Sequence, residues 1–412
     1  MLNHTQKLNR LVDFGLEISQ VADLDLLLEK VLSEARFLFN ADAGSIYIRE
    51  GQQLRFTISQ NQTLQKRLPK GKKLIYTSFT LPINNKSIAG YVANNDATLN
   101  IPDVYRLNSS LPFSFNSEFD KISGYHTKSM LTIPMKNTRN QIIGVLQLIN
   151  AQDDKGQIIP FNSEDEPIVK HFAIYAANAI ERAQMTRDTI ERMISMAELR
   201  DPKETGPHAN RVAAYAVELY EAYAHKKNLT RKEIDRTRDA LRMAAMLHDV
   251  GKVAISDTIL KKPGKLTEEE YEVMKLHTLH GARLFLNPRS DFDEFSAIVA
   301  LNHHERWDGK GYPGHVDPMS GKPLPGFEGP DGKALGKKGE EIPLFGRIVA
   351  LADVYDALSS RRVYKEAWSE ENVLRILQEE RGKQFDPDLV DCFIERLDVI
   401  RAIASKYPDR EI

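Results

Sequence analysis

Eight histidine and carboxylate side chains between residues 204 and 353 are of the types that ligate divalent metal ions. The pair His248-Asp249 ends the apolar stretch LRMAAMLHDVGKV, whose apolar positions recur at helical spacing. The other six lie before and after that pair: Glu204, His208, His277, His303, His304 and Asp353. Any one alone would more often be an ordinary structural polar residue, by about two or three to one. Together they favour a metal centre with more than one ion.

The elements around these residues read as amphipathic helices. Asp353 lies in FGRIVALADVYDAL, where an aspartate is costly to bury without a cation or hydrogen-bond donors. His277 lies in EEEYEVMKLHTLHGARLF, and we expect Val273, Leu276 and Leu284 to mark the buried side there. The sequence therefore predicts an all-α region that carries the metal-ligating side chains.

The composition limits the class of protein. A chain of 412 residues is too long for one typical core and predicts two to three domains. The net charge of -2 provides no general field for binding a nucleic acid polymer. The only cysteine, Cys392, excludes an intramolecular disulfide and favours a reducing compartment. Because the N-terminus lacks the apolar core of a signal peptide and no run of about 18 apolar residues occurs, we expect a cytoplasmic protein without membrane contact.

The first half of the chain predicts a mixture of helices and strands. Residues 23–40 read as an amphipathic helix, and residues 87–95 as a short helix. Strands are expected in AGSIYIRE and QLRFTISQ, separated by a turn at Gly51, and at 129–134 and 142–150. A helix over residues 163–199 would be about 55 Å long at 1.5 Å per residue. That length could pair with its copy in a homodimer, or pack within one chain.

Residues 20–182 resemble a GAF domain, a small α/β sensor module with an antiparallel sheet and flanking helices. The matching stretches are LDLLLEKVLSEARFLFNADAGSIYI, SIAGYVANNDATLNIPDV and SMLTIPMKNTRNQIIGVLQLIN. Some cyclic-nucleotide-binding members carry a motif that Asn150, Phe161, Asp165 and Glu166 fit here, but Ala151 stands at its lysine. A sensing module with an unknown ligand and a structural module without one are about equally favoured. Residues 1–19 are predicted to form a separate helical segment.

Residues 190–412 resemble an HD-GYP domain, the branch of HD-domain phosphohydrolases associated with cyclic di-GMP. The matching stretches are RDPKETGPHANRV, HDVGK (248–252), HHERWDGKGYPG (303–314), GEEIPLFGRIVALADVYDALSS (339–360) and KQFDP (383–387). The long helix at 163–199 would link this domain to the first. The resemblance implies metal ligation by the seven residues from His208 to Asp353, with Asp249 bridging two ions. Glu204 stands where members with a third ion carry a glutamate. Nitrogen and oxygen ligands favour iron first and manganese second.

The resemblance also implies a reaction, the hydrolysis of cyclic di-GMP to pGpG and onward to GMP. Two close cations would ease deprotonation of a water and neutralise charge on phosphorus. Asp249 and Lys252 are the expected catalytic residues, although Lys252 could instead cap a helix end. The expected substrate-binding residues are Arg306, Asp308, Gly311, Tyr312, Arg362 and Lys365. The rings of Trp307 and Tyr312 fit base stacking and packing under the loop equally well.

Three alternatives remain open from the sequence. The chain could hydrolyse another nucleotide, or it could bind cyclic di-GMP without cleaving it.

The third open point concerns residues 314–338, a glycine-, proline- and lysine-rich insertion relative to the family. A long loop of this kind is functional or disordered, so it could close over an anionic ligand or project into solvent.

Overall fold

The computed structural model describes residues 2–69, 72–76, 78–200, 206–360 and 368–409. The chain divides into two compact units, Met1–Arg187 and Asp188–Ile412. None of the described helices combines the length and the apolar composition needed to cross a lipid bilayer.

A seven-stranded antiparallel sheet forms the centre of the first unit. Its strand order is β3-β2-β1-β6-β5-β4, and β7 pairs with β6. The strands are β1 Ala41–Glu50, β2 Gln53–Asn61, β3 Thr80–Pro82, β4 Leu99–Ile101, β5 Met130–Lys136, β6 Ile142–Gln152 and β7 Ile158–Ile159. Gly51 lies in the turn between β1 and β2 with φ of 60°, a conformation that favours glycine. The four predicted strands therefore occur in the structure.

Helices cover both faces of this sheet. They are α1 His4–Ser19, α2 Leu24–Leu38, α3 Gln62–Lys66, α4 Ile88–Asn95, α5 Glu118–Ser123 and α6 Glu166–Glu198. Because side chains alternate along β1, Ile46 packs with α1, α2 and α6, whereas Tyr47 packs with α4. Phe14 of α1 stacks on Phe172 of α6 with ring centroids 4.3 Å apart. The predicted α/β architecture is confirmed.

A buried ion pair joins α1 to the segment before α6. Lys7 Nζ donates to Asp165 Oδ2 at 2.5 Å, and both side chains are largely buried. Asp165 belongs to the motif in which Ala151 replaces the family's lysine. The positive partner of this aspartate is therefore supplied from α1, a change that the sequence pattern did not predict.

The regular secondary structure of the second unit is mainly helical. Its helices are α7 Gly206–Lys226, α8 Arg231–Met246, α9 Asp257–Leu260, α10 Glu268–Lys275, α11 His277–Arg283, α12 Asp291–Asn302, α13 Leu344–Ser359, α14 Glu370–Glu379, α15 Pro387–Glu395 and α16 Leu397–Lys406. Helices α7, α8, α12 and α13 pack against one another. Alanine and branched aliphatic residues on these helices are almost fully buried, including Ala213, Ala244, Val299 and Ile348. The predicted all-α architecture of this region is confirmed.

The prediction for the buried side around His277 is wrong. Val273, Leu276 and Leu284 are 39%, 40% and 57% exposed, whereas His277 and Leu279 are buried. The spacing argument assumed one continuous helix, but α10 ends at Lys275 and α11 begins at His277. Residues on the two sides of this break therefore do not share one helical face.

The insertion at 314–338 is an ordered pair of hairpins, which we call the double hairpin. Antiparallel bridges join Val316 to Pro323 and Glu328 to Ala334. The His315 amide donates to the Leu335 carbonyl at 2.9 Å. The segment therefore has a defined local fold, although many of its residues are exposed.

Candidate metal centre

Seven of the eight predicted metal-ligating residues come together in two neighbouring groups. The first group contains Asp249, His277, His303 and His304, and the second contains His208, His248 and Asp353. Within each group the potential ligand atoms lie within 4.8 Å of one another. The eighth residue, Glu204, lies outside the described residues.

The carboxylate of Asp249 lies between the two groups. Its Oδ1 atom is 3.1 Å from His277 Nε2 and 3.5 Å from His303 Nε2. Its Oδ2 atom is 3.4 Å from His248 Nε2, in the second group. One oxygen thus faces each group, which is the arrangement that a bridging carboxylate needs.

The tautomers of three histidines are set by main-chain carbonyls. Because a carbonyl only accepts, each Nδ1 must donate, and the Nε2 of each neutral ring then carries a lone pair. The bonds are His248 to Ala245 (2.9 Å), His277 to Met274 (2.8 Å) and His303 to Val299 (3.1 Å). The Nε2 atoms of His277 and His303 are only 3.4 Å apart and both approach Asp249. Such lone pairs repel one another unless a cation lies between them, so these residues fit a divalent metal ion.

The pKa directions agree with metal ligation. Burial raises the pKa of Asp249, but Lys252 and His248 outweigh it, so this pKa lies well below its usual value. Burial lowers the pKa of His303, and it lowers that of His304 well below the ordinary value. An ionised aspartate and neutral imidazoles are the protonation states that bind metals.

His208 is held by a carboxylate that the sequence reasoning missed. Its Nδ1 donates to Asp356 Oδ2 at 2.8 Å, and Asp356 is 1% exposed. Arg211 donates to both oxygens of Asp356, at 2.6 and 2.9 Å. The sequence could have indicated Asp356 through its spacing. It follows Asp353 by three residues and so lies on the same side of α13.

Two predicted functional residues contact the groups directly. Lys252 Nζ donates to Asp249 Oδ2 at 2.7 Å. The ring of Tyr312 stacks on His304 with centroids 4.8 Å apart, and Lys275 Nζ lies 5.5 Å from the Tyr312 ring centroid. The sequence analysis did not predict that Lys275 lies beside Tyr312. The one indication in the sequence was its position two residues before His277.

The other predicted substrate residues of this loop have structural partners. Arg306 binds Asp308 through two bonds of 3.1 and 3.2 Å and also donates to Glu380 and Gln384. At Gly311 an added Cβ would lie 2.3 Å from the Arg306 amide nitrogen. These contacts hold the loop in shape.

Trp307, in the same loop, is half-buried and lies beside α13. The Arg347 guanidinium lies 5.6 Å from its ring centroid. Base stacking and packing under the loop both stay predictions for this ring. Arg362 and Lys365 lie outside the described residues.

Two protein families match the chain. The GAF domain family matches residues 23–180, and the HD domain family matches residues 205–358. The second match contains both groups of candidate metal ligands.

Three curated relatives from Vibrio cholerae are similar over long stretches. A cyclic di-GMP phosphodiesterase is 32% identical over 87% of this chain and 71% of its own length. A probable cyclic di-GMP phosphodiesterase is 30% identical over 82% of this chain and 71% of its own length. The 3'3'-cGAMP-specific phosphodiesterase 2 is 34% identical over 56% of this chain, but only 38% of its own length is covered. With its GAF and HD domains and these long similarities, the chain belongs to the cyclic di-GMP phosphodiesterase family.

Proposed function

We propose that this protein hydrolyses cyclic di-GMP to pGpG, with GMP as the product of a second cleavage. One observation carries the proposal: the Asp249 carboxylate faces two groups of metal-ligating side chains at once. Two close cation positions suit a phosphodiester, whose negative oxygens otherwise repel an attacking hydroxide. The long similarity to two proteins named for this reaction supports the same substrate.

We infer two divalent ions, one at each group, with iron favoured over manganese. The ligands are imidazole nitrogens and carboxylate oxygens, and neither group contains a thiolate. Bound here, the ions would lower the pKa of a water molecule and neutralise charge on the phosphate. A third ion at Glu204 stays a prediction.

The chain's own residues would orient the ligands and the substrate. Lys252 holds the Asp249 carboxylate through its bond to Oδ2 and adds positive charge where a phosphate would bind. This contact favours the catalytic role of Lys252 over a helix cap. Tyr312 stacks on His304 and is the substrate-contacting residue best supported in its loop. Arg362 and Lys365 stay predicted contacts to the substrate.

A second candidate substrate is 3'3'-cGAMP. It is favoured by the relative named for that activity, which is 34% identical over 230 residues. The two cyclic dinucleotides share the phosphodiester chemistry and differ in one base, so the metal groups do not distinguish them.

The test is turnover of both dinucleotides by anaerobically purified protein, with metals counted and products separated by chromatography. We expect cyclic di-GMP to be cleaved, with Asp249→Ala inactive and Asp331→Ala, at an exposed position, unchanged. Faster cleavage of 3'3'-cGAMP than of cyclic di-GMP would identify 3'3'-cGAMP as the substrate instead. Binding without cleavage by the fully metal-loaded protein would make it a receptor, and no binding would point to another nucleotide.

We further propose that the protein is a homodimer in which the GAF domain regulates hydrolysis in the cytoplasm. Leu8, Val12 and Leu16 of α1 are 42%, 60% and 66% exposed and recur every four residues, which forms an apolar stripe. Ile174 and Tyr175 of α6 are also exposed. A second copy would bury this stripe. A ligand for the GAF domain stays a prediction.

The oligomeric state tests this surface. Analytical ultracentrifugation should give a dimer for the parent protein and a monomer for Val12→Glu. Leu111→Glu, at another exposed apolar position, should stay dimeric. A parent monomer would refute the dimer, and unchanged turnover in the Val12→Glu monomer would refute regulation through it.

A further inference from the structure

The double hairpin contacts the chain segments that carry the three histidines of the first metal group. Two of these histidines, His303 and His304, follow α12 directly, and the third, His277, begins α11. The contacts are polar on the α12 side and mainly apolar on the α11 side.

Glu305 fastens both ends of the double hairpin beside His304. This residue is 3% exposed. Its Oε1 atom accepts the Gly314 amide at 2.6 Å, and its Oε2 atom accepts the Lys337 amide at 3.3 Å. The two amides belong to the first and the next-to-last residues of the insertion. One buried carboxylate therefore ties the insertion to the turn that carries the histidine pair.

Lys337 makes a second contact on the other side of that pair. Its Nζ atom donates to Asn302 Oδ1 at 2.5 Å, and Asn302 is 2% exposed. Asn302 directly precedes His303, and Glu305 directly follows His304. The double hairpin thus holds the residues on both sides of the two histidines.

The α11 side is held by apolar packing and one hydrogen bond. Val316 and Ala334 of the double hairpin pack with Leu279 and Ala282 of α11. Arg283 Nε donates to the Pro318 carbonyl at 2.8 Å. The double hairpin therefore contacts the middle and the end of the short helix that begins at His277.

The second metal group has a different support. Its residues lie on α7, in the turn after α8 and on α13, and Asp356 holds His208. The two groups meet at Asp249 but are positioned by separate parts of the unit.

We propose that the double hairpin is a brace that sets the affinity of the first group for its ion. Glu305 and Lys337 act as positioning residues, and the segment does not open and close over the substrate. This inference rests on the proposed metal binding, but it does not depend on which dinucleotide is cleaved.

Manganese titration of the full chain tests the brace, with free Mn²⁺ measured by electron paramagnetic resonance. Glu305→Gln keeps one acceptor oxygen but loses the second, and Lys337→Met removes the ammonium group while keeping most of the stem. We expect each change to weaken one of two sites about 10-fold, the lower end of the loss seen when groups bonded directly to metal ligands are removed. Glu328→Gln and Lys322→Met are matched controls at exposed positions of the same insertion.

A second background identifies which site has changed. Asp353→Ala disables the second group, so the remaining Mn²⁺ site is the first group, and Glu305→Gln should weaken it there too. Circular dichroism shows whether each variant is folded. Unchanged affinity, or equal weakening of both sites, would overturn the brace. If the parent protein binds two Mn²⁺ ions but cleaves no dinucleotide, only the proposed function fails, whereas a parent that binds none overturns both.

Discussion

Replacing Asp356 with asparagine should weaken the second metal group selectively. The side chain keeps its size and one acceptor oxygen, but the negative charge that faces His208 Nδ1 is lost. A carboxylate makes the histidine a stronger ligand by polarising its ring, whereas a neutral amide polarises it less. No histidine of the first group is bound to Asp356, so the affinity of that group should change much less.

The size of the effect follows from the contacts. Hydrogen bonds to charged groups contribute about 1.5 to 3 kcal/mol, compared with about 0.5 to 1.5 kcal/mol for neutral ones. A loss of about 1.4 kcal/mol corresponds to a tenfold weaker Mn²⁺ affinity at the second group. Stability should fall further, because breaking a buried ion pair costs about 3 to 5 kcal/mol. We expect a loss of stability at the lower end of this range, because Arg211 keeps its 2.8 Å bond to Asp409.

The assay combines Mn²⁺ titration with denaturation of the metal-free protein. Arg211→Met is the comparison, because it breaks the same ion pair but leaves the charge of Asp356 beside His208. It should lower the denaturation midpoint to a similar extent without weakening the second group. The reasoning would be refuted if Asp356→Asn left both Mn²⁺ affinities unchanged, or if Arg211→Met weakened the second group as much.

Two further predictions concern the fold. Lys7→Met should lower the stability of the first unit by about 3 kcal/mol, because its buried partner loses its cation. Lys170→Met breaks an exposed ion pair and should cost at most about 1 kcal/mol, so equal calorimetric shifts would contradict the reasoning. Gly251→Ala should prevent correct packing around the metal groups, because its Cβ would lie 1.9 Å from the main-chain oxygen of His277. An unchanged melting temperature and circular dichroism spectrum would show that the backbone can yield there.

The two groups of candidate metal ligands could be recognised in the sequence because few side chains have the required chemistry. His248 and Asp249 follow the apolar end of α8 directly, and burying them without partners would be costly. The packing of α7, α8, α12 and α13 brings six of these residues together, and α11 adds His277. Asp356 was harder to recognise, because a buried aspartate on a helix could serve many purposes.

Long-range pairs and main-chain contacts could not be predicted in this way. Lys7 and Asp165 are separated by 158 residues, and no periodic pattern connects them. The role of Glu305 depends on amides from both ends of the insertion, and amides leave no mark on the sequence. The glycine-rich hairpins likewise lack the alternation that identifies strands. The buried side of α10 and α11 was predicted wrongly because the helix breaks at Leu276. The spacing of apolar residues alone did not reveal this break.

The position of Asp249 has a consequence for how the protein responds to metal supply. Because each of its oxygens serves a different group, orienting the carboxylate for one ion also orients it for the other. This linkage favours cooperative loading, whereas repulsion between two cations opposes it. Where the effect of the shared ligand is larger than the repulsion, molecules with a single bound ion are scarce. The protein then changes from metal-free to fully metal-loaded over a narrow range of free metal concentration. Signal degradation would then switch off abruptly in a metal-starved cell instead of declining in proportion.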